Sequence, residues 1–212
     1  MFDASFALKV FAALFAIMNP IANIPVFLSL TEGADDTAKR RIAMVALFGV
    51  SVGCVVSLVA GAAILRLFGI TITDFRLAGG LLVLLIALDM LHGSTSAQHQ
   101  PGAREMPGAA AVQDVAVYPL TVPLLVGPGT IATLIVFGHT AAAQGRIASL
   151  AAGLVAFLAL LGASLYAAPA IGHHLSARVT AITKRLMGMV LAAIAMEMML
   201  ASLQVFLKGV LG

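Results

Sequence analysis

The sequence predicts an all-α integral membrane protein with six transmembrane helices, arranged as an inverted repeat of three plus three in which helices 1 and 4 are broken. Three observations predict it: an apolar excess, six apolar runs of membrane-crossing length, and an internal two-fold repeat. Of the 212 residues, 61% are hydrophobic and 10% are charged, against about 45–50% and about 25% in soluble domains. The mean hydropathy of +1.09 agrees. Such a composition excludes a soluble globule, a disordered chain and a nucleic-acid binder, because too few charges remain to solvate a surface or track a phosphate backbone. The 12 basic and 9 acidic residues lie thinly between apolar runs and read as topology signals. Cys54 is the single cysteine, which excludes an internal disulfide and a thiolate metal cluster.

Crossing about 30 Å of hydrocarbon takes roughly 20 helical residues. The first qualifying segment, Ser5–Leu30, lacks a basic leader and carries Asn19-Pro20 where a cleavage motif would stand, so it reads as a retained span and not a signal peptide. The second, Arg41–Leu67, follows the cluster Lys39-Arg40-Arg41, and its Gly49-x-x-x-Gly53 suits close helix packing. The third, Phe75–Leu91, contains Gly79-Gly80 and Asp89. A stretch rich in Gly, Ser, Pro, Gln and His then separates two halves, 1–95 and 112–212, with 96–111 as a flexible linker. The second half supplies Val112–Phe137, Ile147–Ile171 and Leu186–Leu207. Counted over the loops, seven basic residues fall on the side reached after spans one, three and five and five on the other, which places both termini outside the cell.

The two halves superpose in sequence at an offset of 108 residues, where Asn19-Pro20 falls on Gly127-Pro128 and Gly80 through Asp89-Met90 falls on Gly188 through Glu197-Met198 without a gap. Three spans is an odd number, so the second half would enter the bilayer from the opposite side. That is the inverted-repeat plan of many secondary transporters, whose substrate sites lie near the midplane where the halves meet.

The most interrupted segments are Met18-Asn19-Pro20-Ile21-Ala22-Asn23-Ile24-Pro25 and Tyr118 to Thr130, the latter with three prolines and two glycines. Proline removes an N–H and clashes with the carbonyl four residues back, which hydrocarbon does not compensate. A half-helix starting at Pro20 or Pro128 would offer free N–H groups to an anion such as a carboxylate. Asn19, Asn23, Thr121 and Thr130 add directed hydrogen bonds, and freed carbonyls or Asn oxygens would hold an ammonium group or a cation. Donors and acceptors together suit a zwitterion. The candidate binding residues are therefore Asn19, Pro20, Asn23, Thr121, Gly127, Pro128, Gly129 and Thr130. The simpler alternative is that the prolines only kink packed helices.

Asp89 and Glu197 occupy equivalent repeat positions, and a charge at bilayer depth costs at least about 2.5 kcal/mol on insertion scales. They are candidates for coupling transport to H+ or Na+; the alternative is that they lie near the interfaces or pair with a basic neighbour such as His92. His139, His173 and His174 read as solvated loop residues, with no metal-ligand spacing. No nucleophile with a base partner, phosphate-binding loop or zinc motif marks an enzyme. The ten methionines read as adaptable core.

Asn19 to Thr31, Pro123 to Thr133 and Phe75 to Met90 together resemble the MarC family of bacterial and archaeal inner-membrane proteins. The similarity runs from about Phe6 to the C-terminus, and its specific part is the two proline motifs. The family is distantly similar to LysE-type exporters, and its SnatA members are linked to transport of small neutral amino acids. The resemblance implies six helices, an inner-membrane location and an ion-coupled amino-acid carrier. Its signature segments fall on Asn19, Pro20, Asn23 and Pro25 and on Gly127, Pro128, Gly129 and Thr130. Ala22 departs from the family pattern, where glycine is common, and its methyl group would narrow a pocket there. The expected function is secondary transport of a glycine- or alanine-class substrate by alternating access. An exporter of metabolites or drugs, a lipid-carrier flippase, and a non-transporting scaffold or membrane enzyme are the alternatives.

Overall fold

The computed structural model describes residues 2–31, 33–92, 120–121, 125–171 and 176–211. Among them every regular element is helical: α1 (Ala4–Met18), α2 (Pro20–Leu30), α3 (Asp36–Leu67), α4 (Ile72–His92), α5 (Pro128–Ala143), α6 (Ile147–Ile171) and α7 (Ala177–Leu211). Five helical stretches, counting α1 and α2 as one, are long and apolar enough to cross a membrane, and α5 is a shorter apolar helix. The linker 96–111, the stretch from Val112 to Pro119 and Val122-Pro123-Leu124 lie outside the described residues, as do His173 and His174.

Local chemistry sets the ends. Asp3 and Asp35 cap α1 and α3 by accepting from the N–H groups of Phe6 at 3.0 Å and Ala38 at 2.7 Å. At the far ends of α3 and α5 the chain turns through Gly69 (φ +69°) and Gly145 (φ +65°). The next N–H reaches back five residues, Ile70 to the Leu65 carbonyl at 2.9 Å and Arg146 to the Ala141 carbonyl at 2.8 Å. Side chains other than glycine resist that left-handed backbone.

Helix lengths depart from the apolar runs where charge begins. Helix α6 matches its expected bounds, but α7 starts at Ala177, nine residues before Leu186, and includes Arg178, Lys184 and Arg185. Its 35 residues exceed the roughly 20 that cross hydrocarbon. Hydropathy marks only the part in lipid, whereas backbone hydrogen bonding carries a helix on into water. Of the fourth expected span, Val112–Phe137, the described part holds a helix from Pro128 that runs past the expected end to Ala143.

Contacts give the directions. Phe6, near the start of α1, meets Phe137, near the end of α5, with ring centroids 5.8 Å apart, so these two helices are antiparallel. Phe11 of α1 meets Phe157 of α6 at 6.3 Å while Gly153 sits on Ala7 and Val10, which makes α1 and α6 parallel. Arg40, at the other end of the bundle, lies 4.9 Å over the ring of Tyr166 and ties α3 to α6. Large apolar side chains such as Phe48 and Val59 point outward, the polarity of a surface that faces lipid.

Helices α4 and α7 pack through glycines in a reciprocal pattern. A Cβ on Gly80 would meet Met199 Cγ at 2.7 Å, the Ala195 oxygen at 3.1 Å and Met198 Cβ at 3.3 Å. One on Gly188 would meet the Ala87 oxygen at 3.0 Å, Met90 Cβ at 3.1 Å and Leu91 Cγ at 3.2 Å. Each contact has its counterpart 108 residues along the chain, and so do the buried pairs Val83 with Leu191 and Ala87 with Ala195 between them.

Where a glycine faces rigid backbone, an added methyl group forces the helices apart. A Cβ on Gly153 would stand 2.4 Å from the Ala7 oxygen and 3.0 Å from Val10 Cβ, whereas one on Gly49 meets only the Thr121 side chain at 3.0 Å. Gly153→Ala is expected to cost about 1–3 kcal/mol, read as a lower unfolding midpoint in detergent, and Gly49→Ala less.

Candidate functional site

The first break is a single residue wide. Pro20 has no N–H to continue α1, and Asn19 before it adopts φ 33°, ψ 73°, making it the described non-glycine residue with positive φ. Asparagine tolerates this conformation better than most residues. It also serves both half-helices: its N–H donates to the Phe15 oxygen at 2.9 Å, closing α1, and its Oδ1 accepts from the Ala22 N–H at 3.2 Å, opening α2. Asn23 spans the break from the other side, its Nδ2 donating to the Met18 oxygen at 2.5 Å. The two asparagines thus satisfy backbone groups that hydrocarbon would leave bare. One donor is left over. Asn19 is 3% exposed, and its Nδ2 has no acceptor among the described residues.

The second break is built differently. Gly127 precedes α5 without a side-chain cap, Pro128 takes the first helical position, and the Val126 N–H donates to the Thr121 oxygen five residues back at 2.8 Å. Thr130 donates back across the break to the Leu125 oxygen at 3.0 Å. Thr121 faces α3, with its hydroxyl 3.4 Å from the Ala46 oxygen and its methyl against Gly49. Gly129 lies against α4, where a Cβ would meet Ile86 Cδ1 at 2.8 Å. Met18, just before the first break, and Leu125 and Val126, just before the second, belong to one buried cluster.

A cleft of about 380 Å³ opens at the end of the bundle where α1 and α4 begin. Lys9 and Glu197 form an ion pair across it, joining α1 to α7. At its rim Arg146 pairs with Asp3 at 3.1 Å. Arg76 of α4 donates through Nη2 to the Thr140 hydroxyl at 3.3 Å, and its Nε is buried without an acceptor among the described residues. The cleft reaches α5 at Thr133, six residues past Gly127, or about 9 Å of helix. Asn19, Asn23, Thr121 and the Gly127–Thr130 turn are not among its walls.

Of the two carboxylates placed at equivalent repeat positions, Glu197 is in this cleft and Asp89 is not. Lys9 faces Glu197, and the position 108 residues after Lys9 is Val117, which lies outside the described residues. His92, the neighbour considered for Asp89, places its Nδ1 2.7 Å from the Leu88 oxygen.

The family model described as "MarC family integral membrane protein" matches residues 4–207. This chain belongs to the MarC family. The MarC protein is similar to the UPF0056 membrane protein YvbG of Bacillus subtilis, 34% identical over 94% of this chain and 95% of that one. YhcE of Escherichia coli is 31% identical over 99% and 97% of the two chains. MJ1677 of Methanocaldococcus jannaschii, also described as a UPF0056 membrane protein, is 30% identical over 92% and 95%. No solved structure matches. The MarC chain is thus a multi-pass integral membrane protein.

Sequence reasoning selected the breaks and passed over Lys9, Arg76 and Thr133. By sequence Lys9 reads as a topology marker, Arg76 as a topology marker and, with Arg66, as thin support for the headgroup site of a flippase, and Thr133 as one hydroxyl among many. The available signal was a cation within the first apolar run, whose charge needs a partner at that depth.

Asn19 gives a direct test of the hinge. Asn19→Ala removes the α2 cap, worth about 1 kcal/mol, and with it the local side-chain hydrogen bond that lets asparagine hold the left-handed backbone. Asn19→Gly keeps the backbone conformation and is expected to lie within about 0.5 kcal/mol of the parent. Unfolding midpoints in detergent are expected to follow the order parent, Asn19→Gly, Asn19→Ala.

Proposed function

We propose that this MarC protein is a secondary transporter of a small neutral amino acid of the glycine or alanine class, working by alternating access in the inner membrane. The observation that carries the reading is the antiparallel pair of interrupted helices, α1/α2 broken at Asn19 and α5 beginning at Gly127-Pro128. Interrupted helices of opposite sense are the usual means by which carriers present backbone polar groups to a substrate within hydrocarbon. The six-span architecture of two inverted halves belongs to the proposal, and the reciprocal Gly80 and Gly188 contacts at the repeat offset support it.

In this reading the two halves rock about the α4–α7 contact, where small residues allow sliding without polar groups to unpair. The leftover Asn19 Nδ2 and the uncapped first turn of α5 offer donors to a carboxylate. Of the coupling candidates Asp89 and Glu197, Glu197 holds a cation, Lys9, that H+ or Na+ would have to displace. Chemical conversion of the cargo has no part in the cycle.

Two measurements test this. Purified protein in proteoliposomes is expected to take up labelled glycine or alanine under an imposed ion gradient, with Asn19→Ala slower by about tenfold or more, a loss of roughly 1.4 kcal/mol of transition-state stabilisation. Full uptake in both Asn19→Ala and Gly129→Leu would remove the breaks as the site. For topology, a Cys54→Ala background allows single cysteines to be labelled with a membrane-impermeant maleimide in intact cells. Ser5→Cys and Gln144→Cys are expected to react from outside and Thr37→Cys only after permeabilisation; the reverse pattern would invert the proposed orientation.

A further inference from the structure

The cleft beside the breaks has walls that are incompletely paired. Three cations and two carboxylates line it: Lys9, Arg76 and Arg146 against Asp3 and Glu197. Lys9 pairs with Glu197 and Arg146 with Asp3, which leaves Arg76 without a carboxylate partner among the described residues. Its Nε is buried and has no acceptor among the described residues. A desolvated guanidinium N–H of this kind is costly to leave unmade and matches a carboxylate in geometry and charge.

Thr133 makes the same point independently. It is fully buried, yet its Oγ1 has no partner among the described residues. The other buried serines and threonines among the described residues do bond, most to a carbonyl one turn back, as Ser57 does to Gly53, Thr130 to Leu125 and Ser202 to Met198. That back-bond is the default for a helical hydroxyl. Thr133 forgoes it and lines the cleft with Arg76.

We propose that the cleft between α1, α4, α5 and α7 is a binding site for a small zwitterion, whose carboxylate docks on Arg76 Nε and the Thr133 hydroxyl and whose ammonium replaces Lys9 on Glu197. The carboxylate half stands on the unpaired groups alone; the ammonium half rests on the amino-acid reading above. A volume of about 380 Å³ lies at the small end of ligand pockets, roughly 300–1,000 Å³. Because Lys9 belongs to α1, releasing it from Glu197 would remove the ionic link between the first half-helix and α7. Occupancy and movement of the hinge helix are then one event. The site lies on the side where the chain begins, about 9 Å of helix from Gly127, and so precedes the breaks on a path from that side.

The test is binding to the full protein in lipid nanodiscs, by calorimetry and thermal shift, with alanine, propionate and ethylamine as probes. Alanine is expected to bind, with propionate weaker and ethylamine weaker still. Arg76→Gln is expected to weaken alanine binding by about tenfold to a hundredfold, the range for a hydrogen bond to a charged group. Thr133→Val, which keeps the shape of the buried side chain, is expected to weaken it less, and Arg76→Lys to recover part of the loss if Arg76→Gln folds poorly. Undiminished alanine binding in both Arg76→Gln and Thr133→Val, or no alanine binding to the parent, would overturn the site. Propionate binding as tightly as alanine would overturn the zwitterion. Uptake is read in parallel, so that the two proposals fail separately: full binding and full uptake in the Arg76 and Thr133 variants removes the cleft and leaves the carrier, whereas binding lost in those variants, with no uptake by the parent, removes the carrier and leaves the cleft.

Discussion

Hydrocarbon offers no hydrogen bonds, and much of this structure answers that constraint. A proline in a membrane helix strands a carbonyl and deletes an N–H, and each stranded group costs free energy comparable to a lost hydrogen bond. At the first break two asparagines supply what lipid cannot, Asn19 by capping both half-helices and Asn23 by reaching back to Met18. The arrangement leaves the Asn19 amide with one unused donor in a buried position. At the second break a glycine–proline pair and the Thr130 hydroxyl do similar work, without a side-chain cap on Gly127. Two solutions to one constraint thus occur 108 residues apart, at Pro20 and Pro128.

The packing around the breaks follows from small residues. Gly80 and Gly188 bring α4 and α7 to backbone contact, Gly153 does so for α6 and α1, and Gly129 leaves room for the Ile86 side chain of α4. Helices in lipid gain little from burying apolar surface, so close backbone approach and dispersion hold them together. Such interfaces have few directional bonds. That suits the rocking motion proposed for the two halves, while the ion pairs Lys9–Glu197 and Asp3–Arg146 supply directional links at one end of α1.

Those charges are also where the two halves differ. Position 9 is lysine and pairs with Glu197, whereas position 117, at the sequence offset of 108, is valine. A perfectly symmetric carrier would have equal affinity for substrate from either side. The asymmetry of the cleft gives the proposed transporter one face with charge-assisted recognition, and Arg76 and Thr133 belong to that face.

Long apolar runs, proline positions and the 108-residue offset were readable from the chain because helix formation and its interruption are local: they depend on side-chain polarity over about 20 residues and on a missing N–H. The bounds of α6 follow from this alone. The extension of α7 through Arg178 to Arg185 was not readable from hydropathy, since a helix leaving the bilayer keeps its backbone bonds while losing its apolar signal. Asn19 and Asn23 could be selected beforehand as polar residues flanking a break, but not the division of labour between them, which depends on Asn19 entering the left-handed region. The pairing of Lys9 with Glu197, the idle Arg76 Nε and the unbonded Thr133 hydroxyl were decided by tertiary structure. Lys9 and Glu197 are 188 residues apart, and an electrostatic partner or an absent acceptor is a property of distance in space, which separation along a chain does not encode.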